Sequence, residues 1–177
     1  MQIIVLTFVL EESANILVHT VLFAGKDFGH PPSVSFIIAC VLIGIMIPAV
    51  LLILEKDNQI LFAKRHPKRD SLPSRWSLPS DKMEPGETIF DTAKRCAKHE
   101  LCLDIKVLEI FDGFYFKDNH EEKLLTFVKA TYDGNPEICA KDELTHLEFY
   151  TFKNFFTKYR DDEIGHGLQF LRKKYYS

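Results

Sequence analysis

Glu84, Glu87, Arg95, Cys96, His99 and Glu100 fall within one short stretch, residues 84–100. Their types and spacing suit metal or phosphate chemistry. Residues 88–101 carry a helical period: Phe90, Ala93, Ala97 and Leu101 recur at the spacing that predicts a buried stripe. Cys96, His99 and Glu100 are three and four residues apart, so they share another face of that helix. Three readings of that face are open. One is a hard-cation site, Mg²⁺ or Mn²⁺, built on Glu100 with Glu84 or Glu87 nearby, since such ions want oxygen ligands. Another is a softer site of Cys96, His99 and Glu100, which suits Zn²⁺. In the third, Cys96 is a small buried hydrophobe, His99 is a surface residue and no metal binds.

The approach to the helix has its own signals. Pro85-Gly86 predicts a turn. Thr88 is placed to cap the helix, with Asp91 three residues on supplying negative charge to the first turn.

The run from Trp76 through Leu78, Pro79, Glu84, Gly86, Glu87, Arg95 and Glu100 to Leu103 resembles the signature loop–helix of the Nudix hydrolases. The family pattern is G-x5-E-x7-R-E-U-x-E-E-x-G-U, with U a bulky aliphatic residue, and W-x-L-P-G-G-x-x-E-x-G-E commonly leads into it. The box occupies residues 81–103 without a gap, but it is degenerate. Ser80 and Asp81 replace the paired glycines, and Cys96, His99 and Cys102 replace two glutamates and the closing glycine. Ala97 takes a bulkier residue's place.

The resemblance implies an α/β/α sandwich with a mixed sheet and hydrolysis of nucleoside diphosphates linked to another group. It also implies a divalent cation held by three carboxylates, of which only Glu100 remains. Glu87 and Arg95 would brace residues 81–87 over the helix, so the catalytic candidates are Glu100, Glu87 and Arg95. The metal candidates are Glu100, Glu84, His99 and Cys96, and the substrate-binding candidates are Arg65 and Trp76. Two functions stay open: a hydrolase with a weakened or altered metal site, and a catalytically inactive module that binds a nucleotide or a protein.

The lost glycines raise questions of backbone geometry. A glycine pair permits positive φ, and Asp81 tolerates that region better than most residues. Its carboxylate would either repel a diphosphate or replace a missing ligand. Cys102 stands where a left-handed glycine normally ends the helix, predicting a different exit or local strain.

Composition sets outer bounds. The chain has 177 residues, 46% of them hydrophobic, and a net charge of −3. With no basic stripe, nucleic acid is excluded as the main partner. A small cluster, Lys64, Arg65, Lys68 and Arg69, reads as a solvated turn or a phosphate contact. Cys40, Cys96, Cys102 and Cys139 show no CxxC spacing and no disulfide framework, which fits a reducing compartment.

The surrounding elements read as an α/β chain. Residues 49–65 predict a hairpin with a polar turn at Glu55 to Asn58. Residues 105–110, 113–116, 124–132 and 147–152 predict strands, and 153–160 and 163–175 predict helices. Aromatics of 111–116 read as core rather than base-stacking residues, and Asp142-Glu143 as a solvated acidic turn.

Residues 1–47 form a hydrophobic extension before a Nudix-like domain at 48–177. Val34 to Leu54 is uncharged over a length that can span a bilayer, but its last seven residues are also claimed by the hairpin's first strand. A membrane-anchored extension and a soluble one are both open, as is a start codon further downstream. Without a basic leading region, no cleaved signal peptide is expected. The basic residues follow the apolar run, so a spanning segment would put the domain in the cytoplasm.

Overall fold

The computed structural model describes residues 3–12, 15–24, 48–117 and 122–176. The chain divides into two compact units, residues 1–46 and 47–177.

In the first unit, β1 (Ile3–Glu12) and β2 (Asn15–Ala24) pair as an antiparallel hairpin, with Ile3 opposite Ala24 and Glu12 opposite Asn15. The apolar run 34–54 does not form one spanning helix, because residues 48–54 belong to a strand. Residues 34–47 lie outside the described residues. No helix among the described residues is long and apolar enough to cross a membrane.

The second unit is a mixed α/β fold. Its strands are β3 (Pro48–Lys56), β4 (Gln59–Arg65), β5 (Trp76–Ser77), β6 (Ser80–Lys82), β7 (Ile105–Lys117), β8 (Glu122–Tyr132) and β9 (Leu144–Tyr150). Its helices are α1 (Ile89–Leu101), α2 (Phe152–Lys158) and α3 (His166–Tyr175), with a 3₁₀ turn at Asp161–Glu163. The sheet order is β5-β4-β3-β8-β7, with β6 on β3 and β9 on β4. β3 runs parallel to β8 and antiparallel to β4 and β6.

The continuous burial of Pro48 to Leu54 follows from that central place, since both faces of β3 are covered. Ala49, Leu51 and Ile53 join a cluster with Phe155, Leu168 and Leu171 under α2 and α3. Alternate residues face the other layer, and α1 packs on β3, β6 and β7. The hairpin turn is Asp57-Asn58, both left-handed at φ 51° and 60°, which matches the twist of the flanking strands. Beyond Glu55 and Ile60, β3 and β4 separate: β3 takes β6 as its neighbour while β4 takes β5 and β9.

Two predicted strands merge into β7, whose register shifts near residues 108 and 111 preserve pairing with β8 through both irregularities. The last strand ends earlier than the sequence suggests, because Thr151 caps α2 by accepting from the Asn154 N–H at 3.2 Å.

Candidate functional site

The signature helix α1 begins where its capping residues dictate. Asp91 N–H donates to Thr88 Oγ1 at 3.1 Å, and Thr88 N–H donates to the Asp91 carboxylate at 3.1 Å. Its buried stripe is rotated from the predicted one. Ile89, Ala93, Ala97 and Leu101 go inward at four-residue spacing, while Phe90 is 44% exposed. One residue turns a helix by about 100°, which carries Phe90 off that line.

The helix exit keeps the left-handed geometry of the missing glycine. Cys102 has φ 53°, its N–H donates to Lys98 O at 3.1 Å, and Leu103 N–H donates to Ala97 O at 3.1 Å. Cys102 is also disulfide-bonded to Cys139, against the expectation of unpaired cysteines. Nothing in the spacing of those two residues signals the pair. Folding brings them together because residues 137–139 run along the helix end: Glu137 N–H donates to Leu101 O at 3.1 Å and Cys139 N–H to Glu100 O at 3.0 Å.

Arg95 organises the loop before the helix. It donates from Nε to Glu87 Oε1 at 2.6 Å and from Nη2 to Glu87 Oε2 at 2.8 Å. The same nitrogen reaches Lys82 O at 2.7 Å, and Nη1 is ion-paired with Asp81. Glu87 also accepts from Glu84 N–H and Thr92 Oγ1, each at 2.9 Å. The Arg95 hydrogen bonds, with these others, hold the Glu87 carboxyl down at about 2. Ser80 and Asp81 are extended, as residues of β6 opposite Leu51 and Val50, and neither has positive φ. Asp81 therefore serves Arg95 and needs no left-handed backbone. Glu84 is 65% exposed at its side chain, 3.7 Å from Arg95 Nη1.

Glu100 is only 4% exposed. Ser80 N–H donates to its Oε2 at 3.2 Å. Burial, helped by the charge of Glu143, pushes its carboxyl up to about 8. Cys96, one turn earlier, is fully buried against it, and burial pushes the thiol up as well. His99 is exposed.

Glu87 and Asp81 are engaged by Arg95, Cys96 is a buried thiol beside the buried Glu100 carboxyl, and His99 is exposed. Among the described residues, no three His, Cys, Asp or Glu side chains are grouped to hold a metal ion. Glu100 is thus the buried carboxylate that the signature helix offers to an ion, with Cys96 beside it and His99 turned to solvent.

Beside β6 opens a cavity of about 920 Å³. Arg65, Lys68, Arg69, Lys82, Lys123 and Lys141 line it, against three aspartates, Asp70, Asp81 and Asp142. Arg65 donates from Nε to Ser71 O at 2.9 Å. Phe116 and His166 also face the cavity, with their rings stacked at 4.2 Å. Of the acidic pair read as a solvated turn, Asp142 lines the cavity and Glu143 pairs with Arg69 at 3.2 Å. Lys82, Lys123, Lys141 and His166 escaped the sequence reading. They come from separate strands, loops and a helix, so no linear pattern marks them.

Trp76 lies elsewhere. It is 5% exposed in the core, edge-on to Phe155 at 6.3 Å, and borders only a smaller cavity of about 410 Å³. It does not line the larger cavity with Arg65. Phe114 stacks on Phe170 at 4.1 Å, as a packing residue.

The family model described as NUDIX domain matches residues 46–168. No curated protein matches the sequence. Among solved structures, a MutT NUDIX hydrolase from Burkholderia pseudomallei is 18% identical with a TM-score of 0.62, over 73% of this chain and 97% of that one. The MutT protein from Methanosarcina mazei Go1 is 12% identical with a TM-score of 0.63, over 72% and 91%. A NUDIX hydrolase from Nitrosomonas europaea is 16% identical with a TM-score of 0.53, over 90% and 77%. At these identities the likeness speaks for the fold.

Proposed function

This chain belongs to the Nudix family, and from that premise we propose that it binds a nucleoside diphosphate derivative and hydrolyses it with an impaired centre. The family typically uses divalent metals. The observation that carries the reading is Glu100: it is the buried carboxylate of the signature helix, with the Cys96 thiol buried beside it and His99 exposed, while Arg95 and Glu87 keep the signature loop in place. The cationic cavity beside Ser80 and Asp81 supports a phosphate-bearing ligand. A second reading, binding without hydrolysis, is favoured by Cys96, which puts a buried thiol beside Glu100 where the family pattern has a carboxylate.

The test is hydrolysis of a panel of nucleoside diphosphate derivatives by the full chain with Mg²⁺, Mn²⁺ or Zn²⁺. Wild type, Glu100→Gln and Cys96→Glu/His99→Glu are compared after circular dichroism confirms each fold. Slow metal-dependent turnover, lost in Glu100→Gln and raised in the double variant, is the expected result. Binding with no turnover in any form supports the second reading. Turnover near the common enzyme value of about 10 s⁻¹ would overturn the impaired centre.

A cytoplasmic location for the domain rests on the sequence reading, and the Cys102–Cys139 disulfide counts against a reducing compartment.

A further inference from the structure

We infer that the Cys102–Cys139 disulfide is a thiol-exchange site, at which a small monothiol opens the bond and releases the segment that borders both Glu100 and the larger cavity. The bond lies near the surface: Cys102 is exposed and Cys139 is half-buried. An exposed disulfide is open to attack by a thiolate and is therefore of the labile kind. Cys96, by contrast, is fully buried and takes no part.

The chemistry is exchange in two steps. A thiolate of the glutathione type attacks Sγ of Cys102, the more exposed residue of the pair. A new sulfur–sulfur bond forms, the Sγ–Sγ bond breaks, and its electron pair leaves on Cys139 Sγ, which takes a proton from water. A second thiolate attacks the small-molecule sulfur of that mixed disulfide, so that Cys102 leaves as a thiolate and is protonated in turn. Two small thiols are oxidised to one disulfide, and the protein disulfide is reduced to two thiols.

What the bond controls follows from its neighbours. Glu137 N–H donates to Leu101 O at 3.1 Å and Cys139 N–H to Glu100 O at 3.0 Å, taking carbonyls that end α1 without intrahelical partners. Four residues on, the Glu143 carbonyl accepts from His66 N–H at 2.7 Å and its carboxylate lies 3.2 Å from Arg69 Nη1. Between these two attachments, Lys141 and Asp142 line the larger cavity, as do His66 and Arg69. The segment 137–143 is thus fixed covalently beside Glu100 and tied to the 66–69 turn at its other end. Backbone hydrogen bonds at a helix end open readily, so the covalent bond decides how firmly the segment is held. Reduction loosens one wall of the cavity and, through Glu143, the turn opposite. The inference is independent of whether the chain hydrolyses anything.

The test uses the full chain, oxidised with glutathione disulfide and then exposed to millimolar reduced glutathione in native buffer. Quenching with N-ethylmaleimide and peptide mass spectrometry should find the first adduct as glutathione on Cys102, with Cys139 alkylated. Hydrogen exchange in brief labelling should then rise at least about tenfold in peptides covering 66–69 and 137–144, while β3 stays protected in both redox states. Cys102→Ser/Cys139→Ser should match reduced wild type without any thiol treatment, and reduced wild type carries the comparison if that variant folds poorly. Failure to find the Cys102–Cys139 bond after oxidation overturns the inference, as does a bond that survives glutathione until the chain is denatured. A first adduct on Cys139 overturns the assigned point of attack. Exchange unchanged on reduction, or raised equally in β3, makes the bond a general staple and overturns its control of the cavity wall.

Discussion

Arg95 meets Glu87 fork to fork, with two of its nitrogens 2.6 and 2.8 Å from the two carboxylate oxygens. Eight residues separate them, and the pair closes the loop between β6 and α1 over the helix that follows. Both groups are partly shielded, so charge-assisted hydrogen bonds retain strength here. Arg95→Met should therefore destabilise the domain by about 2–3 kcal/mol. Chemical denaturation compared with wild type checks this; a loss below half a kcal/mol would show the pair to be solvated.

The Cys102–Cys139 disulfide closes a sequence separation of 37 and fastens the helix exit to the segment that leads to Lys141, Asp142 and Glu143. Cys139→Ser should cost about 3–4 kcal/mol under oxidising conditions, chiefly through the freed unfolded chain. Urea denaturation with and without dithiothreitol measures it. The reductant should bring wild type down to the variant and leave the variant unchanged.

Glu100 gives the metal-free domain a definite pH dependence. Its folded carboxyl sits at about 8, above the ordinary value of 4.5, so the folded state holds a proton that the unfolded chain releases. Its contribution is full below about 4.5 and is lost as pH rises toward 8. Thermal melts in EDTA should fall across that window, and Glu100→Gln should flatten the fall. Glu87 has the opposite sign: held at about 2, it stabilises above 4.5 and loses that contribution as pH drops toward 2. A wild-type melt that rises from pH 5 to 8 would show Glu100 to be ionised and stabilising.

Gly167 lets α3 lie against β3. A Cβ there would sit 2.4 Å from Leu51 Cδ2. Alanine gains about 1 kcal/mol of helix propensity, but the clash should outweigh it and leave Gly167→Ala net destabilised by about 1–2 kcal/mol. A double-mutant cycle with Leu51→Ala reads the contact itself. The two changes should be less costly together than their sum, since truncating Leu51 opens the space that the new methyl needs.

The sequence by itself determined what is local. Thr88 and Asp91 set the start of α1, Asp57-Asn58 made the hairpin turn, and the uninterrupted apolar run 49–54 became the central strand. Those features rest on hydrogen bonds and side-chain periods within a few residues, which a linear reading can follow. The family was legible for the same reason, because its signature is one loop and one helix. Tertiary structure alone decided which partner each charged group took. Arg95 claimed Asp81 as well as Glu87, and burial left Glu100 beside Cys96 with a raised pKa. Cys102 met Cys139, Trp76 went to the core, and lysines from separate strands and loops converged on one cavity. Ion pairing, desolvation and cavity charge depend on distances across the fold, and sequence spacing does not encode those distances.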